Sequence, residues 1–87
     1  MKKLDGKWRI VMFDIPEKYR GARNALRNIL RQLGFFEYQK SVFAHPFECQ
    51  NEVDFVIEFF KLRPWVRLAV ADNIDNELHL KTHFNLS

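Results

Sequence analysis

The sequence has few of the residues that interrupt regular structure or cross-link a chain. It contains one cysteine, three glycines and three prolines in 87 residues. The single thiol, Cys49, excludes an intrachain disulfide framework and a metal site built from several thiolates. The scarcity of Gly and Pro, with 47% hydrophobic residues, excludes a disordered or fibrous chain. The composition therefore predicts a globular protein, and nothing in it requires an oxidising compartment, so a cytoplasmic location is expected.

Long hydrophobic runs are also missing. The basic start Met1-Lys-Lys is not followed by the apolar stretch of about 7 to 15 residues that a signal peptide needs. No apolar run approaches the roughly 20 residues of a membrane span. We therefore expect neither export nor a membrane partner. The length fits one small domain, residues 1–87, with a tail over residues 73–87.

Positive charge is concentrated in the first half of the chain. Residues 1–40 hold ten of the 14 Lys and Arg but four of the 11 Asp and Glu, so they carry +6 and the remainder carries −3. A polarised field of this kind suits a polyanion on one side of the molecule, although it is also common on ordinary soluble proteins. Charge alone leaves nucleic-acid binding open.

Hydrophobic periodicity predicts six elements and a tail. Residues 7–14 form a strand that is apolar on both faces, and residues 20–33 form a helix that ends at Gly34. Residues 35–39 and 42–45 form a hairpin that ends at Pro46, residues 51–61 form a second helix closed by Pro64, and residues 65–71 form a buried strand. The tail from 77 to 84 alternates as a strand does, but a helix is favoured.

The order βαββαβ is that of an α+β, ferredoxin-like fold. Right-handed crossovers place both helices on one face of a four-stranded antiparallel sheet and leave the other face open. The first and last strands are apolar on both faces, so the open face would expose an apolar patch. A homodimer packed through that face is the expected assembly.

The first helix carries a stripe of arginines beside its buried side. At 100° per residue, its four arginines fall on one flank, where their spacing fits a phosphate backbone, and Lys18 and Lys40 lie near the same end of the sheet. The stripe predicts contact with duplex DNA. The alternative is a solvated face, or pairing with acids of the second helix such as Asp54 and Glu58. The stripe consists of Arg20, Arg23, Arg27 and Arg31.

Asp14 is the candidate catalytic and metal-binding residue. It ends the first strand just before Pro16, where its side chain can leave the sheet edge. Two copies facing each other across a dimer axis would offer carboxylates to Mg²⁺ or Mn²⁺, which activates water for hydrolysis. The alternative, which we favour, is structural: Asp14 accepts hydrogen bonds from the turn at residues 15–18 or from Ser41.

Three motifs in order resemble the CRISPR-associated Cas-two family. They are Ile10-Val-Met-Phe-Asp-Ile15, the arginine-rich helix ending in Leu33-Gly34, and Gln39-Lys-Ser-Val-Phe43. More particular units are similar to the Cas-two-like domain of transcriptional repressors of the phenylacetate-operon (PaaX) type. Those units are Asp5-Gly-Lys-Trp8, Asp14-Ile-Pro-Glu17, Arg23-Asn-Ala-Leu-Arg27 and His45-Pro46.

The resemblance covers about residues 5 to 72 and implies a nucleic-acid-associated ferredoxin-fold homodimer. Its CRISPR branch implies a structural adaptor that bridges copies of the integrase subunit during spacer acquisition, the function we expect first. That branch also implies, for some members, a Mg²⁺- or Mn²⁺-dependent endonuclease using the residue that matches Asp14. Its repressor branch implies a dimerisation core that follows a winged helix-turn-helix.

Overall fold

The computed structural model describes residues 4–86, which form a four-stranded antiparallel sheet and three α-helices. The sheet order is β2-β3-β1-β4, which is compatible with a ferredoxin-like fold, so the predicted α+β class is confirmed. Over residues 4–86, no helix is long and apolar enough to cross a bilayer. The elements are β1 (Leu4–Phe13), α1 (Arg20–Gln32), β2 (Phe36–Gln39), β3 (Val42–Phe47), α2 (Gln50–Phe59), β4 (Val66–Ala71) and α3 (Glu77–His83).

The main core lies between the sheet and helices α1 and α2. Side chains alternate along β1, so Val11 and Phe13 point to the helices, where both are buried. They pack with Leu26 of α1 and Ile57 of α2, which are fully buried. The Phe13 and Phe43 rings stack with centroids 5.9 Å apart, joining β1 to β3 on this face. This apolar layer fixes both helices against the sheet.

Helix α3 covers part of the second face of the sheet, so the prediction that this face is open is wrong there. Trp8 points to this face and is buried, and its indole Nε1 donates a hydrogen bond to Glu77 Oε1 at 2.9 Å. Its ring lies 6.1 Å from Phe84, and Leu80 of α3 is fully buried. The helical preference for the tail is confirmed. Met12, with 36% of its surface exposed, lies farther along the same face.

Strand β3 continues through Pro46, which the sequence predicted as its end. Proline lacks the N–H that a central strand donates, so it is tolerated where pairing is interrupted. Pairing with β2 reaches only as far as the pair Phe36 and Ala44, and the register with β1 shifts between Leu4 and Arg9. Pro46 therefore lies where the pairing of β3 with its neighbours is irregular, so its missing N–H costs no regular hydrogen bond of the sheet. Its side chain is fully buried.

Strand β4 is an edge strand and is less buried than predicted. It pairs with β1 on one side only, through a continuous register from Trp8–Ala71 to Phe13–Val66. Val66 is buried under the helices, but Val70 is 58% exposed. The apolar composition of β4 thus reflects burial at one end of the strand rather than along its whole length.

The unit Asp5-Gly-Lys-Trp8 shapes the start of β1. Gly6 adopts a φ of 78°, in the left-handed region that favours glycine. The Asp5 carboxylate accepts two hydrogen bonds from the Arg9 guanidinium, at 2.7 and 2.8 Å, and one from the Lys7 backbone N at 3.1 Å. The hydrogen bonds from Arg9 hold the pKa of Asp5 well below its ordinary value. The motif therefore locks the irregular end of the strand with an ion pair.

Gly34 generates a stability prediction. Its φ is 94°, and an added Cβ would lie 3.2 Å from His45 Nε2, so Gly34→Ala introduces both backbone strain and a close contact. We expect it to lower the free energy of unfolding by about 1–2 kcal/mol, measured by urea titration. Gly21→Ala is the matched control, because Gly21 is helical with no atom within 4 Å of an added Cβ, and it should be neutral or stabilising by up to about 0.5–1 kcal/mol. Equal effects of the two changes would contradict this assignment.

Candidate nucleic-acid interface

The four arginines of α1 lie along one flank of an amphipathic helix. Leu26 and Leu30 are the buried residues of α1 and face the sheet. From the first to the last arginine of the stripe the helix rises roughly 16 Å. The apolar side fixes the orientation of the helix, so the arginines are held in a row rather than scattered around it. That row consists of Arg20, Arg23, Arg27 and Arg31.

Three of the four arginines pair with acids outside α2. Glu17, in the turn before α1, accepts hydrogen bonds from Arg20 at 3.2 Å and from Arg23 at 3.1 Å. Arg31 donates to Glu37 of β2 at 2.9 Å. These pairs lie near the surface, where each contributes about 0–1 kcal/mol to stability, so a phosphate group can compete with the carboxylates.

The acids of α2 do not neutralise the stripe, so that alternative is wrong. Asp54 and Glu58 instead accept hydrogen bonds from Arg63, at 3.3 and 2.6 Å. Both guanidinium contacts stay on the α2 side of the molecule. The two helices that share one face of the sheet therefore keep separate charge networks.

Arg27 is the arginine of the stripe that pairs with no Asp or Glu among residues 4–86. Its Nη2 donates to Ser41 Oγ at 3.4 Å, and its guanidinium carbon lies 5.7 Å from the centroid of the Phe13 ring. Its Nε is buried and has no hydrogen-bond partner in the described part of the chain. Arg27 thus holds an uncompensated positive charge where α1 meets the β2–β3 turn.

A cleft of about 440 Å³ opens beside that turn, at the end of the sheet where β1 finishes. Lys40 and Arg67 both line it, together with Asp14 and Ser41. The Ser41 hydroxyl is the group that Arg27 contacts. The structure therefore brings Lys40 to the same end of the sheet as Arg27, as predicted.

The Arg67 contribution to this cleft was not predicted from the sequence. Arg67 stands opposite Met12 in the β1–β4 register, which places it on the second face of the sheet. Its Nη1 donates to the backbone carbonyls of Arg63, Pro64 and Val66 at 3.0–3.3 Å. In the sequence, Arg67 is only a basic residue within a predicted strand. Its place in the cleft depends on how β4 pairs with β1, which the sequence does not show.

Lys18 lies next to the stripe without joining the cleft lining. Its Nζ is 5.2 Å from the centroid of the Tyr19 ring, a cation–π contact at the start of α1. The Tyr19 ring lies 5.0 Å from that of Trp65, which does line the cleft. We call Lys18, the α1 stripe and Lys40 of the β2–β3 turn the basic surface; Arg27 contacts that turn through Ser41. Its members are Lys18, Arg20, Arg23, Arg27, Arg31 and Lys40, whereas Arg67 lies on the second face of the sheet beside Met12.

Asp14 lies in the cleft, but its carboxylate is not a turn acceptor. Its backbone N donates to the Trp65 carbonyl at 2.9 Å, which continues the strand pairing. Its exposed carboxylate accepts no hydrogen bond from any residue between 4 and 86. Within the same residues, no group of three His, Cys, Asp or Glu side chains is placed to hold a metal ion. One chain therefore offers a cation a single carboxylate here.

The position of Asp14 predicts that its carboxylate is dispensable for folding. Asp14→Asn keeps the backbone hydrogen bond to Trp65 and loses no side-chain hydrogen bond, so the free energy of unfolding should change by no more than about 0.5 kcal/mol. Asp5→Asn is the matched control, because it loses one of the two hydrogen bonds from Arg9 and the negative charge that strengthens both, so it should unfold at a lower urea concentration. If Asp14→Asn is the more damaging change, Asp14 has a structural role.

The sequence matches one known protein family over nearly its whole length. Residues 1–82 match the family described as the PaaX protein central Cas2-like domain. No curated protein and no solved structure gives a significant match. The family match covers nearly the whole chain, including β1, the α1 arginines, the β2–β3 turn and β4, and it confirms the resemblance seen in the sequence motifs. The chain therefore belongs to the family of the PaaX protein central Cas2-like domain.

Proposed function

We propose that this domain is the dimeric, nucleic-acid-associated core of a PaaX-type transcriptional repressor. The observation that carries the proposal is the family match over residues 1–82. The same match favours this function over the CRISPR adaptor that the Cas-two resemblance alone implies, because the matching family is the one described for PaaX. A fold by itself does not determine function, so the detailed proposal rests on two surfaces of this chain.

The basic surface is the proposed contact with duplex DNA. Its members lie on the flank of α1, in the turn before α1 and in the turn between β2 and β3. Guanidinium and ammonium groups arranged along a row suit phosphates rather than base edges. The domain would thus add affinity for the DNA backbone without reading a sequence.

The uncovered part of the second sheet face is the proposed dimer interface. Helix α3 covers the Trp8 end of this face, and the other end presents Met12 and the neighbouring Ile10, which is partly buried. Packing two such faces together would remove these side chains from water. It would also bring the two copies of the cleft containing Asp14 toward one another.

A Mg²⁺- or Mn²⁺-dependent endonuclease is the second candidate, and the exposed Asp14 carboxylate favours it. A hard cation takes several oxygen ligands, and a symmetric dimer would offer two carboxylates where one chain offers one. Metal-dependent cleavage by purified wild-type protein that is lost in Asp14→Asn, with unchanged stability, would establish this activity. Absence of cleavage with both ions would leave Asp14 as a surface residue of the repressor core.

DNA binding should be weak, independent of sequence and sensitive to salt. Replacing both Arg23 and Arg27 with Gln should lower affinity for two unrelated duplexes of equal length by the same factor. The slope of log affinity against log salt should also become shallower, by about 0.9 for each lost phosphate contact. Fluorescence anisotropy across a salt series measures both quantities.

Arg63→Gln is the control for that experiment. It removes one positive charge from the surface, but Arg63 belongs to the α2 charge network and not to the basic surface. It should leave the slope unchanged. If Arg63→Gln flattens the slope as much as the paired change, binding depends on overall charge and the basic surface is not the contact.

The dimer should depend on Met12. Met12→Asp would place a carboxylate in each half of a desolvated interface, so sedimentation at micromolar concentration should show a monomer where the wild-type protein shows a dimer. Asn51→Asp adds the same charge on α2, which lies on the opposite face of the sheet, and should leave the dimer intact. A wild-type monomer, or a dimer in Met12→Asp, would refute the interface.

A further inference from the structure

The outer side of α2 carries two phenylalanines that the core does not use. Phe55 and Phe59 are 70% and 68% exposed, and they lie four residues apart, on one side of the helix. Their rings stack with centroids 6.1 Å apart. Val53 and Ile57, on the opposite side of α2, are buried against the sheet. The helix is therefore apolar on two sides, and only one of them is accounted for by folding.

Helix α2 itself carries a net negative charge, and Lys61 follows its end. Helix α2 contains three acids and no basic residue. Asp54 and Glu58 are matched by Arg63, but Glu52 forms no ion pair with any residue between 4 and 86. Glu52 lies three residues before Phe55, on the same side of the helix. An unpaired carboxylate thus borders the two exposed rings.

The exposed rings and the acids of α2 favour some binding partners of this side of the helix over others. Nucleic acid is disfavoured because its phosphates would meet the acids of α2. A second copy seated on this side would bring the net negative charge of one α2 against that of the other, which disfavours a symmetric contact. A contact between α2 of one copy and α1 of the next would repeat without closing, and would build open chains rather than a dimer. A partner with apolar side chains flanked by positive charges satisfies both the rings and the acids.

We propose that the α2 aromatic face, Phe55 and Phe59 with Glu52, binds a cationic amphipathic helix of a partner protein. The two rings supply the central apolar anchors, which exposed aromatic residues commonly provide at interfaces. The carboxylate at the rim pairs with Lys or Arg of the partner and excludes acidic helices. Helices that bind in this way present apolar residues at three- and four-residue spacing, which matches the spacing of the phenylalanines.

The test uses two synthetic peptides as probes. One contains Leu and Lys in the pattern of an amphipathic helix, and the other has the same pattern with Glu in place of Lys. Fluorescence anisotropy with labelled peptides should show that the wild-type protein binds the Leu/Lys peptide and not the Leu/Glu peptide. The double variant Phe55→Ser, Phe59→Ser should weaken binding of the Leu/Lys peptide about tenfold or more. Glu52→Gln should weaken it less, and only at low salt.

Leu78→Ser is the matched control, because Leu78 is 81% exposed but lies on α3, and it should leave peptide binding unchanged. Circular dichroism and urea titration of all variants confirm that the fold is retained. Equal binding of the two peptides, or equal loss in Leu78→Ser and in the double variant, would overturn the proposal. Sedimentation in which the double variant alone dissociates a wild-type oligomer would overturn it in favour of a second copy as the occupant. All of these outcomes are independent of DNA binding and of the Met12 interface.

Discussion

Strand β1 is apolar on both of its faces, and the architecture follows from the need to remove both faces from water. On one face, Val11 and Phe13 are covered by α1 and α2. On the other face, Trp8 is covered by α3, which contributes Leu80 and Phe84. An antiparallel sheet with one wet face would need polar residues at alternate positions, and β1 does not provide them. The third helix meets this need at the Trp8 end of the strand, whereas Met12 farther along stays partly exposed.

The ion pairs beside α1 and α2 form between residues that are close in the sequence. The paired arginines of α1 and of the turn after α2 find acids nearby in the sequence, as Arg23 does with Glu17 and Arg63 does with Glu58. This local pairing leaves α1 with a basic flank and α2 with an acidic one, although both helices pack on the same layer of the sheet. Two surfaces of opposite sign on one small domain suit two different partners, each repelled by the surface meant for the other.

Much of the fold was predictable because it depends on the spacing of apolar residues and on turn residues within short segments of the chain. The period of the apolar residues predicted α1, and Gly34 marks its end with the positive φ that the pattern indicated. What failed depends on distant parts of the chain. Pro46 continues a strand because the ladder is irregular opposite it, and no local signal reports that irregularity. In the candidate site, helical spacing predicted the α1 row. The place of Arg67 in the cleft depends on the β1–β4 register, and the partners of the arginines depend on how the helices pack.

The bond between Trp8 and Glu77 joins residues 69 positions apart, almost the full length of the chain. Strand β4 already pairs Ala71 with Trp8, so docking α3 closes only the short turn that follows β4; but α3 has seven residues, and Leu80 is its one buried side chain. Helix α3 should therefore be the last part to dock during folding and the first to detach from the native state. Its brief opening would expose Trp8 and enlarge the bare sheet face, so the area available for association would depend on the local equilibrium of this one short helix.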